Sequence, residues 1–231
     1  MTTPRVHSIF GGIAVSHLIE SDEGLVLVDA GLPGLEHRIL RRMALLGRDD
    51  LRLIFITHAH LDHYGGAAAL RRLTGAPIAI HLDDAGAMAR GETDLGSCRG
   101  FGRLIGPFLP MLEASVPVQP TRADVLVEDG TDLRAYGLDG VVVHTPGHTP
   151  GSSCLLVDGR LAFVSDLISA VFGVRGAIFF AQDWTQVPRN LARIQALEPE
   201  KIYVGHALRP VDGARLQRCR VNASWYGVSE G

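Results

Sequence analysis

Thr57-His58-Ala59-His60-Leu61-Asp62-His63-Tyr64-Gly65-Gly66 is the stretch that decides how this chain is read. Three histidines and one aspartate fall within residues 58–63. Imidazole and carboxylate are the side chains that bind divalent transition metals at neutral pH. The residues before the cluster, Leu53-Ile54-Phe55-Ile56-Thr57, form a short apolar, β-branched run and predict a buried strand. The Ala- and Leu-rich run from Tyr64 to Thr74 predicts a helix. The cluster therefore belongs to a strand-to-helix loop, where a rigid scaffold can aim several side chains at one point. A merely polar loop does not call for the pattern H-x-H-x-D-H.

Three further residues repeat that placement. His148 lies in Thr145-Pro146-Gly147-His148-Thr149-Pro150-Gly151, a stiff turn after the apolar run Val141-Val142-Val143. Asp166 follows Leu161–Val164, and His206 follows Lys201–Val204 with Gly205 between. Each stands just beyond the C-terminal end of a predicted strand, where open α/β architectures place their ligands. Alone, each reads equally well as a turn or solvated polar residue; the shared position makes them a set.

Bulk properties frame the function. The 231 residues are 46% hydrophobic and 20% charged, ordinary for a globular chain long enough to bury a full core. The net charge of −3, with no Lys/Arg cluster interleaved with aromatics, does not favour nucleic acid as a partner. Cys98, Cys154 and Cys219 are too few and too widely spaced for a disulfide framework and predict reduced thiols. Neither a secretory signal nor an apolar run approaching the roughly 20 residues that span a bilayer is evident, so the expectation is a cytoplasmic protein without membrane association.

Along the chain, strands are predicted at 6–10, 14–19, 25–28, 53–56 and 78–81, with a helix over 34–46 from Leu35, Ile39, Leu40, Met43 and Leu46. The second half predicts strands at 125–127, 141–143, 154–157, 161–164 and 202–204, and a helix over 188–197. Meandering strands interrupted by helices predict two β-sheets packed face to face with helices outside, in one domain spanning 1–231.

Together, His58-x-His60-x-Asp62-His63, the His148 turn, Ser165-Asp166, Gly205-His206 and the early Leu25-Val26-Leu27-Val28-Asp29-Ala30-Gly31 resemble the metallo-β-lactamase-fold hydrolases over nearly the whole chain. The resemblance implies an α/β fold, a four-layer αββα sandwich of two mixed β-sheets with outer helices. It also implies a binuclear centre: His58, His60 and His148 on one metal, Asp62, His63 and His206 on the other, and Asp166 bridging them. The expected cofactors are two divalent ions, zinc before iron or manganese. Such ions lower the pKa of water from 15.7 to about 7, so a metal-bridging hydroxide would serve as nucleophile and Asp62 as its catalytic guide and proton carrier. Two divalent ions balanced by Asp62, Asp166 and hydroxide leave a residual positive charge suited to a developing oxyanion.

The implied function is hydrolysis of a carboxylic ester, lactone or thioester, in the lactonase and glyoxalase-II-like branch. True β-lactamases of this fold usually lack a bridging aspartate and are exported, so Asp166 argues against antibiotic hydrolysis. Only residues 207–231 follow His206, so the helical glutathione-binding domain of glyoxalase II is not expected. Charge and the lack of a large inserted domain disfavour the nuclease branch. The competing classes are an iron-dependent redox enzyme on the same ligands, either a persulfide dioxygenase or a di-iron oxygen reductase, and a non-catalytic ligand-binding sensor.

Other residues stay open at this point. Asp29 either hydrogen-bonds a metal ligand or caps a turn. His81 and Asp83 either line the pocket or are structural, and His144 is expected to pack or to support a ligand. Residues 95–120, rich in Gly, Pro and large apolar side chains, read equally as a lid over the metals or as packing and a homodimer interface. Pro107 and Pro110 should break any long helix there. With 168–184 this segment is expected to wall an apolar pocket for the acyl part of a small-molecule substrate, lined by Phe108, Phe172 and Phe179.

Overall fold

Continuous apolar runs such as Leu-Val-Leu-Val and Leu-Ile-Phe-Ile leave no polar face to present to water, and the computed structural model shows why. It describes residues 4–100, 102–108, 111, 115–170, 174–176 and 179–219. Six strands form the first sheet: β1 (Arg5–Phe10), β2 (Val15–Ser21), β3 (Gly24–Val28), β4 (Leu51–Ile56), β5 (Ile78–His81) and β7 (Val125–Val127), in that spatial order. β1 to β3 pair antiparallel, and β3, β4, β5 and β7 pair parallel. The second sheet has the order β15 (Val211–Asp212), β14 (Lys201–Val204), β10 (Leu161–Ser165), β9 (Ser153–Val157) and β8 (Gly140–His144). It is also mixed, with β10 and β14 its parallel pair. Two short pairings lie apart from both, β6 (Ser97–Cys98) with β13 (Phe180–Ala181) and β11 (Ile168–Ser169) with β12 (Arg175–Gly176).

Side-chain alternation divides the apolar residues among three cores. On β4, Leu53 and Phe55 point between the sheets while Ile54 and Ile56 face the outer helices. On β10, Leu161 and Phe163 meet them from the second sheet while Ala162 and Val164 face outward. Helix α1 (Glu36–Leu45) buries Ile39 and Met43 on the outer face of the first sheet. Helix Gln186–Ala196 buries Val187, Leu191 and Ile194 on the outer face of the second. The layers are helix, sheet, sheet, helix, as the sequence predicted.

Several boundaries differ from those expected. The motif helix is two helices, α2 (Leu61–Tyr64) and α3 (Ala67–Thr74), because the Gly66 amide donates to Gly31 O at 2.9 Å instead of continuing the helical ladder. Helix Gln186–Ala196 starts two residues earlier than read, with Pro188 in its first turn, where a missing N–H costs nothing. A helix α4 (Leu82–Arg90) follows β5 and was not expected, since Gly86 and two aspartates weaken its pattern. It forms because the His81 ring accepts the Asp83 amide and Gly91, at φ +73°, closes its C-terminus.

In the segment expected as lid or interface, the described residues include a short helix Gly102–Ile105 and a 3₁₀ turn Gly106–Phe108, where Pro107 stands. No helix among the described residues is long and apolar enough to cross a membrane.

Candidate metal centre

The ends of β4, β8, β10 and β14 in the two sheets bring seven side chains to one place. His58, His60 and His148 have donor atoms within 4.8 Å of one another; so do His58, His63 and Asp166, and so do Asp62, His63 and His206. Asp166 lies between the groups. Its carboxylate is 3.5 Å from His148 Nε2, 3.6 Å from His63 Nε2 and 3.1 Å from His206 Nε2. Asp62 Oδ2 is 3.7 Å from His63 Nε2 and 3.8 Å from His206 Nε2.

The imidazoles are held from outside, each by one nitrogen. His60 Nε2 donates to Asp94 O at 3.0 Å, His148 Nδ1 to Phe180 O at 2.9 Å and His206 Nδ1 to Ile13 O at 3.1 Å. His63 Nδ1 meets Asp29 Oδ2 at 2.8 Å, and His58 Nδ1 lies 3.1 Å from Thr57 Oγ1 and 3.2 Å from Ser165 Oγ. The second nitrogens point inward. His60 Nδ1 and His148 Nε2 face each other at 3.1 Å. Since each ring spends its proton on a carbonyl, two lone pairs meet there in the neutral state. His58 Nε2, His63 Nε2 and Asp166 Oδ1 are buried without a hydrogen-bond partner. Buried polar atoms in that condition are costly, and a cation among them removes the cost. This donor set fits divalent metal.

Electrostatics divide the cluster. Burial, with His63, His60 and His148 nearby, drives the His58 imidazolium well below its ordinary range, and burial beside His148 takes His60 down to about 3. These rings are neutral and ready to ligate. Burial opposes charge on His63 too, but Asp62, Asp29 and Asp166 together push it up to about 10, and Asp166 pushes His206 up to about 9. Burial would raise Asp166, yet His206 and His63 hold its carboxyl well below the carboxylate range. The carboxylate side of the cluster draws positive charge.

Tight backbone packing makes this convergence achievable. A Cβ at Gly205 would stand 2.5 Å from Asp166 Oδ1 and 2.9 Å from the His63 ring, so glycine is required before His206. Asp29, at φ +61°, accepts from Thr57 N, Thr57 Oγ1 and His63, so it orients a histidine of the cluster and the loop that carries His58. Left-handed backbone at a non-glycine residue costs roughly 1–2 kcal/mol, which these bonds offset.

Sequence reading missed Asp84. It is 2% exposed and accepts from Ala59 N at 2.8 Å, Thr149 Oγ1 at 2.7 Å and Gly151 N at 2.7 Å. One carboxylate thus clamps the loop of His58 and His60 to the turn of His148. The carbonyls of Ile13, Asp94 and Phe180 were equally invisible, because every residue carries a carbonyl. Only the apolar-to-Asp step at a helix start could have marked Asp84.

The expected substrate wall is less coherent. Phe108 is 67% exposed, Phe179 is half-buried, and Phe172 lies outside the described residues. Trp184, expected beside the site, is buried in the outer core of the second sheet, its indole Nε1 donating to Ser97 Oγ at 2.8 Å. The residues just before the insert do reach the site, through Asp94 O on His60 and through Thr93 Oγ1, which accepts from Leu61 N.

The family model of the metallo-β-lactamase superfamily matches residues 9–206. This chain belongs to that superfamily. It is accordingly a member of a superfamily of metal-dependent hydrolases, and its His/Asp clusters are of the kind that binds divalent metal. A probable metallo-hydrolase of Bacillus subtilis, YflN, is 25% identical over 92% of this chain and 87% of its own length. A hydroxyacylglutathione hydrolase of Pseudomonas aeruginosa is 29% identical over 70% of this chain and 50% of its own length. Among solved structures, the subclass B3 metallo-β-lactamase BJP-1 of Bradyrhizobium japonicum aligns with a TM-score of 0.69 at 20% identity, covering 97% of this chain and 87% of that one. TTHA1623, solved in a di-iron-bound form, aligns with a TM-score of 0.66 at 23% identity, covering 95% and 98%. These structural likenesses establish the fold.

Proposed function

We propose that the protein is a binuclear metal-dependent hydrolase of a carboxylic ester, lactone or thioester. The observation that carries this reading is the inward convergence of five imidazoles and two carboxylates, including the facing lone pairs of His60 and His148 at 3.1 Å. His58, His60 and His148 hold one ion, Asp62, His63 and His206 the other, and Asp166 lies between the two groups. Bound there, two divalent ions, zinc by preference, supply a water of lowered pKa and a Lewis acid for a carbonyl oxygen.

The chain's own residues supply the rest. Asp62 is 21% exposed, more open than the buried His63 beside it, so its carboxylate can take a proton from water and hand it to a leaving group. Asp29 and Asp84 fix the ligand loops, so the donors do not rearrange as charge develops. The acyl part of the substrate packs against apolar side chains such as Leu104, Phe108, Met111 and Phe179. The resemblance to lactonases and to glyoxalase-II-type thioesterases, and the hydroxyacylglutathione hydrolase relative, support an acyl-transfer substrate.

Elemental analysis and a panel of esters, lactones and thioesters on one metal-replete preparation test the reading. The expected result is two transition-metal ions per chain lost together in His60→Ala, with turnover of at least one acyl substrate class. A coloured, iron-holding protein that consumes oxygen and hydrolyses nothing would overturn it in favour of redox chemistry.

A further inference from the structure

His60 and His148 have more in common than their facing nitrogens. Each gives its outer N–H to a backbone carbonyl, His60 to Asp94 O at 3.0 Å and His148 to Phe180 O at 2.9 Å. Those two carbonyls belong to segments that are paired with each other. Asp94 leads into β6 and Phe180 opens β13, with Cys98 opposite Phe180 and Ser97 opposite Ala181. Beyond the strands, the Arg99 amide donates to Phe179 O at 2.9 Å and Trp184 Nε1 to Ser97 Oγ at 2.8 Å.

The two segments meet too closely for a side chain at their nearest points. A Cβ at Gly96 would stand 2.5 Å from Ala181 O and 2.6 Å from Gln182 Cα, and one at Gly102 would stand 2.6 Å from Phe179 O. Gly96 is also at φ +65°, where a side chain adds strain. The β13 segment is fastened in turn to the His148 loop. The Gln182 amide donates to His148 O at 3.2 Å and the Asp183 amide to Gly147 O at 2.9 Å.

Gln182 closes the circuit. Its side-chain Nε2 donates to Asp94 O at 3.0 Å, the same oxygen that takes the His60 proton. A carbonyl oxygen has two lone pairs, so His60 and Gln182 fill both and hold that oxygen between them. One residue therefore fixes the acceptor of His60 with its side chain and the carbonyl of His148 with its backbone. Gln182 is itself outside the donor set.

We infer that Gln182 is a positioning residue for the ion held by His58, His60 and His148, and that this ion and the paired β6 and β13 segments stabilise one another. The inference rests on the binuclear reading above. The coupling runs both ways by thermodynamic necessity. Whatever affinity the ion gains from seated segments, the segments gain in resistance to opening when the ion binds. Phe179 adjoins β13, so the same coupling steadies that part of the substrate wall.

Zinc titration of metal-free, full-length protein against a chromophoric competitor tests it, in the wild type, Gln182→Leu and Gln182→Glu. Leucine removes the donor, and glutamate sets a carboxylate against the Asp94 carbonyl. Two ions are expected in the wild type, with one binding step weakened about tenfold in both variants. The unfolding midpoint of the metal-free protein should stay at the wild-type value, since Gln182 is partly exposed. Gly96→Ala, which unseats β6 from Ala181, should weaken the same step. Amide hydrogen exchange supplies a readout apart from affinity. The Arg99 and Asp183 amides should exchange more slowly once zinc is added to the wild type, and Gln182→Leu should lose most of that gain. Two ions bound with wild-type affinity in both Gln182 variants, or exchange at Arg99 and Asp183 that ignores zinc, would overturn the inference and leave the binuclear reading standing. A single ion in the wild type, weakened in Gln182→Leu, would keep the inference and sink the binuclear reading. No ion in the wild type would overturn both.

Discussion

The loop at 57–66 and the segment at 102–111 are both rich in residues with a reason to be conspicuous, yet the fold treats them oppositely. In the loop, His58, His60 and His63 are at most 3% exposed, and each has one ring nitrogen within reach of an oxygen beyond the inward-facing set. In the segment, Leu104, Phe108 and Met111 are 68%, 67% and 75% exposed. Apolar side chains gain by burial only where an element is available to cover them, and among the described residues none covers these three. Polar residues in the loop are buried because many partners converge on them. Connectivity of hydrogen bonds, more than hydropathy, separates the two regions.

The largest expected break in that comparison comes from Asp62→Asn. An amide is a poor metal ligand and cannot carry the proton, so turnover should fall by about 10³-fold or more while the circular dichroism spectrum stays native. Near-normal turnover with full metal occupancy would remove Asp62 from the chemistry.

Asp84→Ala comes next. Its carboxylate satisfies two buried amides and one hydroxyl, and losing such a partner costs roughly 1–3 kcal/mol per stranded group. Metal affinity should drop about 10–100-fold, as for other groups that orient ligands. Asp84→Asn, which keeps the shape and part of the acceptor capacity, should recover some of that affinity. If competition titration shows unchanged zinc affinity in both variants, the clamp does not position the ligands.

His17 tests whether an interior polar group outside the ligand set behaves as the loop does. Burial, against a backbone hydrogen bond and with His63 nearby, lowers its pKa from 6.5 to about 4. Between those values the unfolded chain binds a proton that the folded chain refuses, so stability falls as pH drops from 6.5 towards 4. The loss amounts to about 3 kcal/mol at most. His17→Gln should flatten this limb in urea unfolding measured across that window; an unchanged limb would assign the acid sensitivity elsewhere.

The smallest effect belongs to the exposed segment. Phe108→Ala should change stability by about 0.5 kcal/mol or less, since the ring is largely in water already. If the segment packs on the acyl chain, the same variant should weaken the rise of kcat/KM with chain length, which burial sets at roughly fourfold per methylene. A flat profile in the wild type would leave 102–111 as an interface with a second copy or as packing.

The sequence by itself determined the longer strands of the two sheets, the layer order and the histidines and aspartates at their ends, but not the two-residue strands such as β6, β13 and β15. Alternation of period two and short apolar runs bounded by Gly and Pro are local signals, and they mark β4, β8, β10 and β14 whatever surrounds them. H-x-H-x-D-H and the turn of His148 carry their chemistry in side-chain type and spacing, which also are local. Only the tertiary structure decided how the ligands are aimed. The carbonyls of Ile13, Asp94 and Phe180, the clamp of Asp84 and the stack of His81 on His144 join residues far apart in the chain. The two-helix break at Gly65-Gly66 likewise depends on an amide bonding to Gly31 O. The physical reason is that a hydrogen bond across the fold needs only a donor and an acceptor, which nearly every residue has; which of them meet is fixed by packing, not by composition or spacing.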